Sequence, residues 1–168
     1  MILEQIAVAV SVTGALEALG VPYVIGGSFA SAVHGVMRAT MDADIVADMP
    51  LESAQPLAEI LGDDFYADVN MMQEAIRRRG SFNLIHFDTA FKVDVFVAKP
   101  RAFDRAQLAR RRLMRLSEEP ELQVYVASAE DIVLAKLEWY QRGGKVSDLQ
   151  WRDVLSVLAV QGDRLDRE

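Results

Sequence analysis

Asp42 and Asp44 are the residues whose types and spacing point most directly to chemistry. In a strand, side chains two apart share a face, so both carboxylates project together while Met41, Ala43 and Ile45 project the other way. Two like charges side by side repel unless a cation lies between them. Mg2+, a hard ion that takes carboxylate and phosphate oxygens, is the natural choice. Upstream, Gly26 and Gly27 let the backbone approach a ligand closely, and Ser28 opens a helix whose free N–H groups and positive dipole end face an anion. Acids for a metal and a cradle for an anion, both within residues 23–49, describe a nucleotide site. The plainer alternatives are an ordinary glycine turn and a pair of charges that blunt a sheet edge.

Local signals supply the elements that must position these groups. Tyr23, Val24 and Ile25 form a short apolar strand running into the glycine turn, an amphipathic helix follows from Ser28, and a second strand carries the acids. Residues 3–19 are predicted to form a buried helix, closed by Gly20 and Pro22. Residues 51–61 read as a helix interrupted by Pro56, and residues 69–79 as another ended by Gly80. Two strands, 81–87 and 90–97, are joined by the short polar connection Asp88–Thr89. On the second of them Lys92, Asp94 and Phe96 share one face, opposite the apolar Phe91, Val93, Val95 and Val97. Beyond Pro100 the chain reads as helical and basic to about residue 116, with a short strand at 124–126. Ser128 with Asp131 and Ser147 with Gln150 open two final helices. On the second of these, Trp151, Val154, Leu155 and Leu158 make a stripe expected to pack inward, as are Trp139 and Tyr140.

The 168 residues suffice for one domain with a real core, and half of them are apolar. The absence of cysteine excludes disulfides and thiolate zinc sites. The apolar run 6–12 is short and lacks a basic leader, so a soluble cytoplasmic protein without a membrane partner is expected. A net charge of -7 argues against indiscriminate nucleic-acid binding, whose affinity comes from Lys and Arg. Two basic clusters remain, Arg77 to Arg79 and, more densely, Arg101, Arg105, Arg110, Arg111, Arg112 and Arg115. Either is a solvated face or a regional site for a charged partner. His34 and His86 are too few and too far apart for a metal site.

Gly-Gly-Ser followed by Asp-x-Asp resembles the signature of the nucleotidyltransferase superfamily that includes DNA polymerase beta and the aminoglycoside-modifying enzymes. With Arg38-Ala39-Thr40 ahead of the acids, the chain is more similar to the branch holding the abortive-infection type of nucleotidyltransferase toxins. The resemblance runs from Tyr23 to about Asp153. It implies a third acid on a later strand, matched here by Asp94, and a helical Lys with a following Asp, matched by Lys136 and Asp153. It further implies two Mg2+ ions, or Mn2+, held by Asp42, Asp44 and Asp94. The NTP, ATP among the candidates, would lie on Gly26, Gly27, Ser28, Arg38 and Thr40, with Lys136 neutralising charge.

The expected fold is therefore α/β (α+β), a small mixed sheet flanked by helices in one nucleotidyltransferase-like domain. Residues 1–100 would form the catalytic sheet core and residues 101–168 a mainly helical portion. The expected activity is transfer of a nucleoside monophosphate from an NTP to a hydroxyl of RNA, protein or a small molecule. By resemblance, an antitoxin partner is a further expectation. Other readings stay open: Lys136 and Asp153 as a structural ion pair, Arg38 as a helix-end charge, and the whole chain as a non-catalytic nucleotide-binding or interaction module.

Overall fold

The computed structural model describes residues 2–35 and 40–167. Helix α1 (Ile2–Ala18) places Ile6, Ala9, Val12 and Leu16 on one buried face, the spacing of an apolar helical stripe. Strand β1 (Tyr23–Gly26) is buried throughout and runs straight into α2 (Gly27–His34). Strand β2 (Asp42–Ala47) follows, then a 3-10 turn (Leu51–Ser53) leading into α3 (Ala54–Leu61), which holds Pro56 in its first turn, where a missing N–H costs nothing. After the short β3 (Phe65–Tyr66), α4 (Val69–Arg78) is capped by the Asp68 carboxylate, which accepts from the Met71 N–H at 2.9 Å. Strands β4 (Ser81–His86) and β5 (Lys92–Val97) form the expected hairpin.

Residues 101–116 depart from the expected continuous helix. Helix α5 (Ala102–Arg110) is short, and the chain then becomes β6 (Arg112–Glu118) and returns as β7 (Glu121–Val126), longer than the predicted 124–126. Period two explains it. Met114 and Leu116 pack on the core while Leu113 and Arg115 face out, an alternation that the density of arginines masks in the sequence. Helices α6 (Ala129–Arg142) and α7 (Asp148–Gln161) start where predicted, with Ser128 Oγ accepting from Asp131 N and Ser147 Oγ from Gln150 N.

The seven strands form one mixed sheet in the order β3-β4-β5-β2-β1-β7-β6. Its middle is antiparallel between β1 and β2 and parallel from β2 to β5 and from β1 to β7. On β2 and β5, Ala43, Ile45, Ala47, Val93, Val95 and Val97 are sealed in the core, and the alternate residues open to the other face. That other face carries the acids, and α2, packed against β2, α6 and α7, closes it on one side. No helix among the described residues is long and apolar enough to cross a membrane.

Candidate active site

Strand register brings the acids together. Asp44 on β2 is paired with Gly26 of β1 on one side and with Asp94 of β5 on the other, while Asp42 lies opposite Lys92. Asp42, Asp44 and Asp94 therefore share one face of two neighbouring strands, as period two requires. Among the described residues, though, no three His, Cys, Asp or Glu side chains converge on a point that would hold an ion. The Lys92 ammonium stands among them, 2.7 Å from Asp94 Oδ2 and 3.9 Å from Asp42 Oδ2.

The turn from β1 to α2 explains why glycine is needed there. Gly27 has φ +60°, and a Cβ built on it would lie 1.8 Å from Asp44 Oδ2. The Asp44 carboxylate thus occupies the space a side chain would fill, directly over the first residue of α2. The next residue turns toward the helices: Ser28 Oγ donates to Asp153 Oδ2 (3.3 Å) and accepts from Lys136 Nζ (3.1 Å). Lys136 and Asp153 are themselves paired at 2.8 Å, both almost fully buried. The three residues, from α2, α6 and α7, form one closed polar contact beside the acids, and the ion pair weighed from the sequence is present.

The acid row is electrostatically strained. Burial pushes the Asp44 carboxyl up to about 6 from its ordinary 3.8, and the like charges of Asp42 and Asp94 push the same way, while Lys136 and Lys92 offset part of the effect. A cation at this face would relieve that repulsion. Three carboxylates are also the hard-oxygen donor set suited to Mg2+, so the residues fit such an ion in kind, with the Lys92 ammonium standing among them here.

Thr40 is buried just ahead of β2, and Arg38 lies outside the described residues. His34 Nε2 donates to the Ala127 carbonyl at 2.7 Å and His86 Nδ1 contacts Thr89 Oγ1, so both are satisfied locally. The dense basic cluster is largely spent within the fold. Arg101 pairs with Asp104 and Glu138, Arg110 with the fully buried Asp131, and Arg115 with Glu121, while Arg111 lies over the Tyr125 ring. Trp139 and Trp151, expected in the core, are 56% and 44% exposed. Tyr140 and Trp151 stack on each other with centroids 5.4 Å apart.

Two residues near the site were not singled out from the sequence. Lys92 was detectable, since it shares the Asp94 face by simple alternation. Gln107 of α5 was not. It is buried, and its Nε2 lies 4.0 Å from where a Gly26 Cβ would be. Nothing in a helical run of arginines marks that position.

The mixed sheet, the glycine turn into α2 and the acids in register define a nucleotidyltransferase fold. Solved structures share this fold. An antigenic nucleotidyltransferase-like protein from Paracoccidioides brasiliensis is similar with a TM-score of 0.57 at 20% identity, over 93% of this chain and 76% of that one. The antibiotic-resistance factor ANT(2'')-Ia is similar with a TM-score of 0.57 at 13% identity, over 98% of this chain and 88% of that one. No protein-family model and no curated protein matches the sequence.

Proposed function

We propose that the protein is a Mg2+-dependent nucleotidyltransferase that moves a nucleoside monophosphate from an NTP to the hydroxyl of a small-molecule acceptor. The observation that carries this is the row Gly26–Asp44–Asp94 with Asp42 beside it: two carboxylates in register and a third two residues along, all on one open sheet face, ending at a glycine turn into a helix. Asp42, Asp44 and Asp94 would hold the metal, which when bound neutralises charge on the phosphates and lowers the pKa of the attacking hydroxyl. The acceptor oxygen attacks the α-phosphorus, Asp94 takes its proton, and the bond to the β-phosphate bridging oxygen breaks to release pyrophosphate. Gly26, Gly27, Ser28 and Thr40 would position the phosphates, with Arg38 ahead of the acids, and Lys136 supplies positive charge beside them.

A small acceptor is favoured over RNA because Arg101, Arg110 and Arg115 of the basic cluster are drawn into internal ion pairs and the chain is acidic overall. The antibiotic-resistance factor among the similar structures suits that choice. The test is transfer of label from α-labelled NTPs, with Mg2+, to a panel of hydroxyl-bearing small molecules, RNAs and proteins. Labelled product with a small molecule, lost in Asp42→Ala and Asp94→Ala, is expected. Undiminished transfer in those variants would sink the mechanism, and label on RNA or protein would overturn the acceptor class.

A further inference from the structure

Lys92 is the one cation in direct contact with the acid row among the described residues. It sits on β5, opposite Asp42 in register and two residues from Asp94, and its Nζ bridges those two carboxylates at 3.9 and 2.7 Å. Its side chain is 40% exposed, so its stem has a path to water. An ammonium on a flexible four-carbon stem is a mobile point charge, whereas a guanidinium would clamp a carboxylate with two parallel bonds.

We propose that Lys92 is a built-in counter-ion, holding Asp42 and Asp94 in place until a divalent ion takes them and then withdrawing to solvent. The inference rests on those two acids being metal ligands, as proposed above. An ammonium 2.7 Å from Asp94 Oδ2 and a divalent ion bound to that same oxygen would lie within mutual repulsion, so the two occupy the site in turn. Metal affinity is consequently set below what three carboxylates alone would give. In exchange, the metal-free fold is spared part of the repulsion among its acids.

Binding of Mn2+ alone, without nucleotide, tests this. Free Mn2+ is read by its spin-resonance signal and each protein is melted with and without the ion, comparing wild type, Lys92→Met, Lys92→Gln and Lys92→Arg. Lys92→Met and Lys92→Gln are expected to bind Mn2+ about fivefold more tightly, the factor equivalent to about 1 kcal/mol for a half-exposed pair. They should also melt lower than wild type without metal, by a margin that narrows as Mn2+ saturates. Lys92→Arg should bind no more tightly than wild type. If wild type binds Mn2+ and both neutral variants bind it equally or more weakly, the counter-ion role is overturned and the metal site stands. If neither wild type nor any variant takes up Mn2+, the metal site itself fails, and Lys92's role with it.

Discussion

Asp44 carries the sharpest conflict between stability and chemistry. Its folded pKa of about 6 exceeds the ordinary 3.8, so the folded state holds this proton more tightly than the unfolded one. Stability therefore falls as pH rises through that window, is free of the penalty below about pH 4 and bears it in full above about pH 6. Asp44→Asn is expected to melt several degrees above wild type at pH 8 in chelator. The gap should close near pH 4, and the variant should have lost nucleotidyl transfer. Melting curves at the two pH values check it. Gly27 lies against the same carboxylate, which fills the space its own side chain would need. Gly27→Ala combines a positive φ with a Cβ driven into Asp44, and is expected to cost about 1–3 kcal/mol in urea unfolding. It should also abolish transfer by displacing the acid, whereas Gly14→Ala, which meets nothing within 4 Å, should do neither. Both acids of the Asp-x-Asp pair and the glycine were legible because strand period and turn chemistry act over a few residues. The near-contact of Gly27 with Asp44 was not, since it depends on how two strands pair.

Helices α6 and α7 show what such patterns miss. The apolar stripe of Trp151, Val154, Leu155 and Leu158 predicted the buried side of α7, yet of these only Val154 is buried, joined there by Asp153 and Val157. The helix is rotated so that a charged residue points inward. Asp153 is held by Lys136 and Ser28, and hydrophobic patterning cannot anticipate a helix turned by an ion pair. The same contact separates structure from chemistry. Asp153→Ala should destabilise by about 3 kcal/mol, because Lys136 is left buried without its carboxylate. The double variant Asp153→Leu with Lys136→Met should recover most of that stability, since a buried pair replaced by apolar groups of similar volume is often neutral. If transfer stays absent in the double variant while the fold is restored, the pair serves the reaction; recovered transfer would make it a brace alone. Denaturant titration and a label-transfer assay on the same preparations decide between these. The β6–β7 hairpin was missed for a related reason, its two-residue alternation being diluted by Arg112 and Arg115, the second of which pairs across the hairpin with Glu121.

At the scale of the whole molecule, charge is the deciding quantity. The chain carries -7, and of its arginine cluster, dense in sequence, Arg101, Arg110 and Arg115 are drawn apart onto Asp104, Glu138, Asp131 and Glu121. Long nucleic acids gain affinity when Lys and Arg displace the counterions condensed on their phosphates, and a chain of net negative charge opposes that approach. Structured RNA is accordingly expected not to shift the protein in gel retardation at physiological salt. A complex with a steep salt dependence would refute this and return RNA to the acceptor list. The sheet order itself was beyond the sequence, because the placement of β7 beside β1 is set by packing across the whole chain.

That placement also fixes an order of events during synthesis. The three acids and the glycine turn have left the ribosome once residue 97 has followed them, but Ser28 meets Asp153 across a separation of 125 residues. Until β7 emerges, β1 has β2 on one side and bare backbone on the other, the open edge to which Ile25 O later accepts Ala127 N. Such long-range closure slows folding. A nascent chain therefore displays its carboxylates early and gains Lys136 and Asp153 late, so the contact of Ser28 with them closes only after α7 docks.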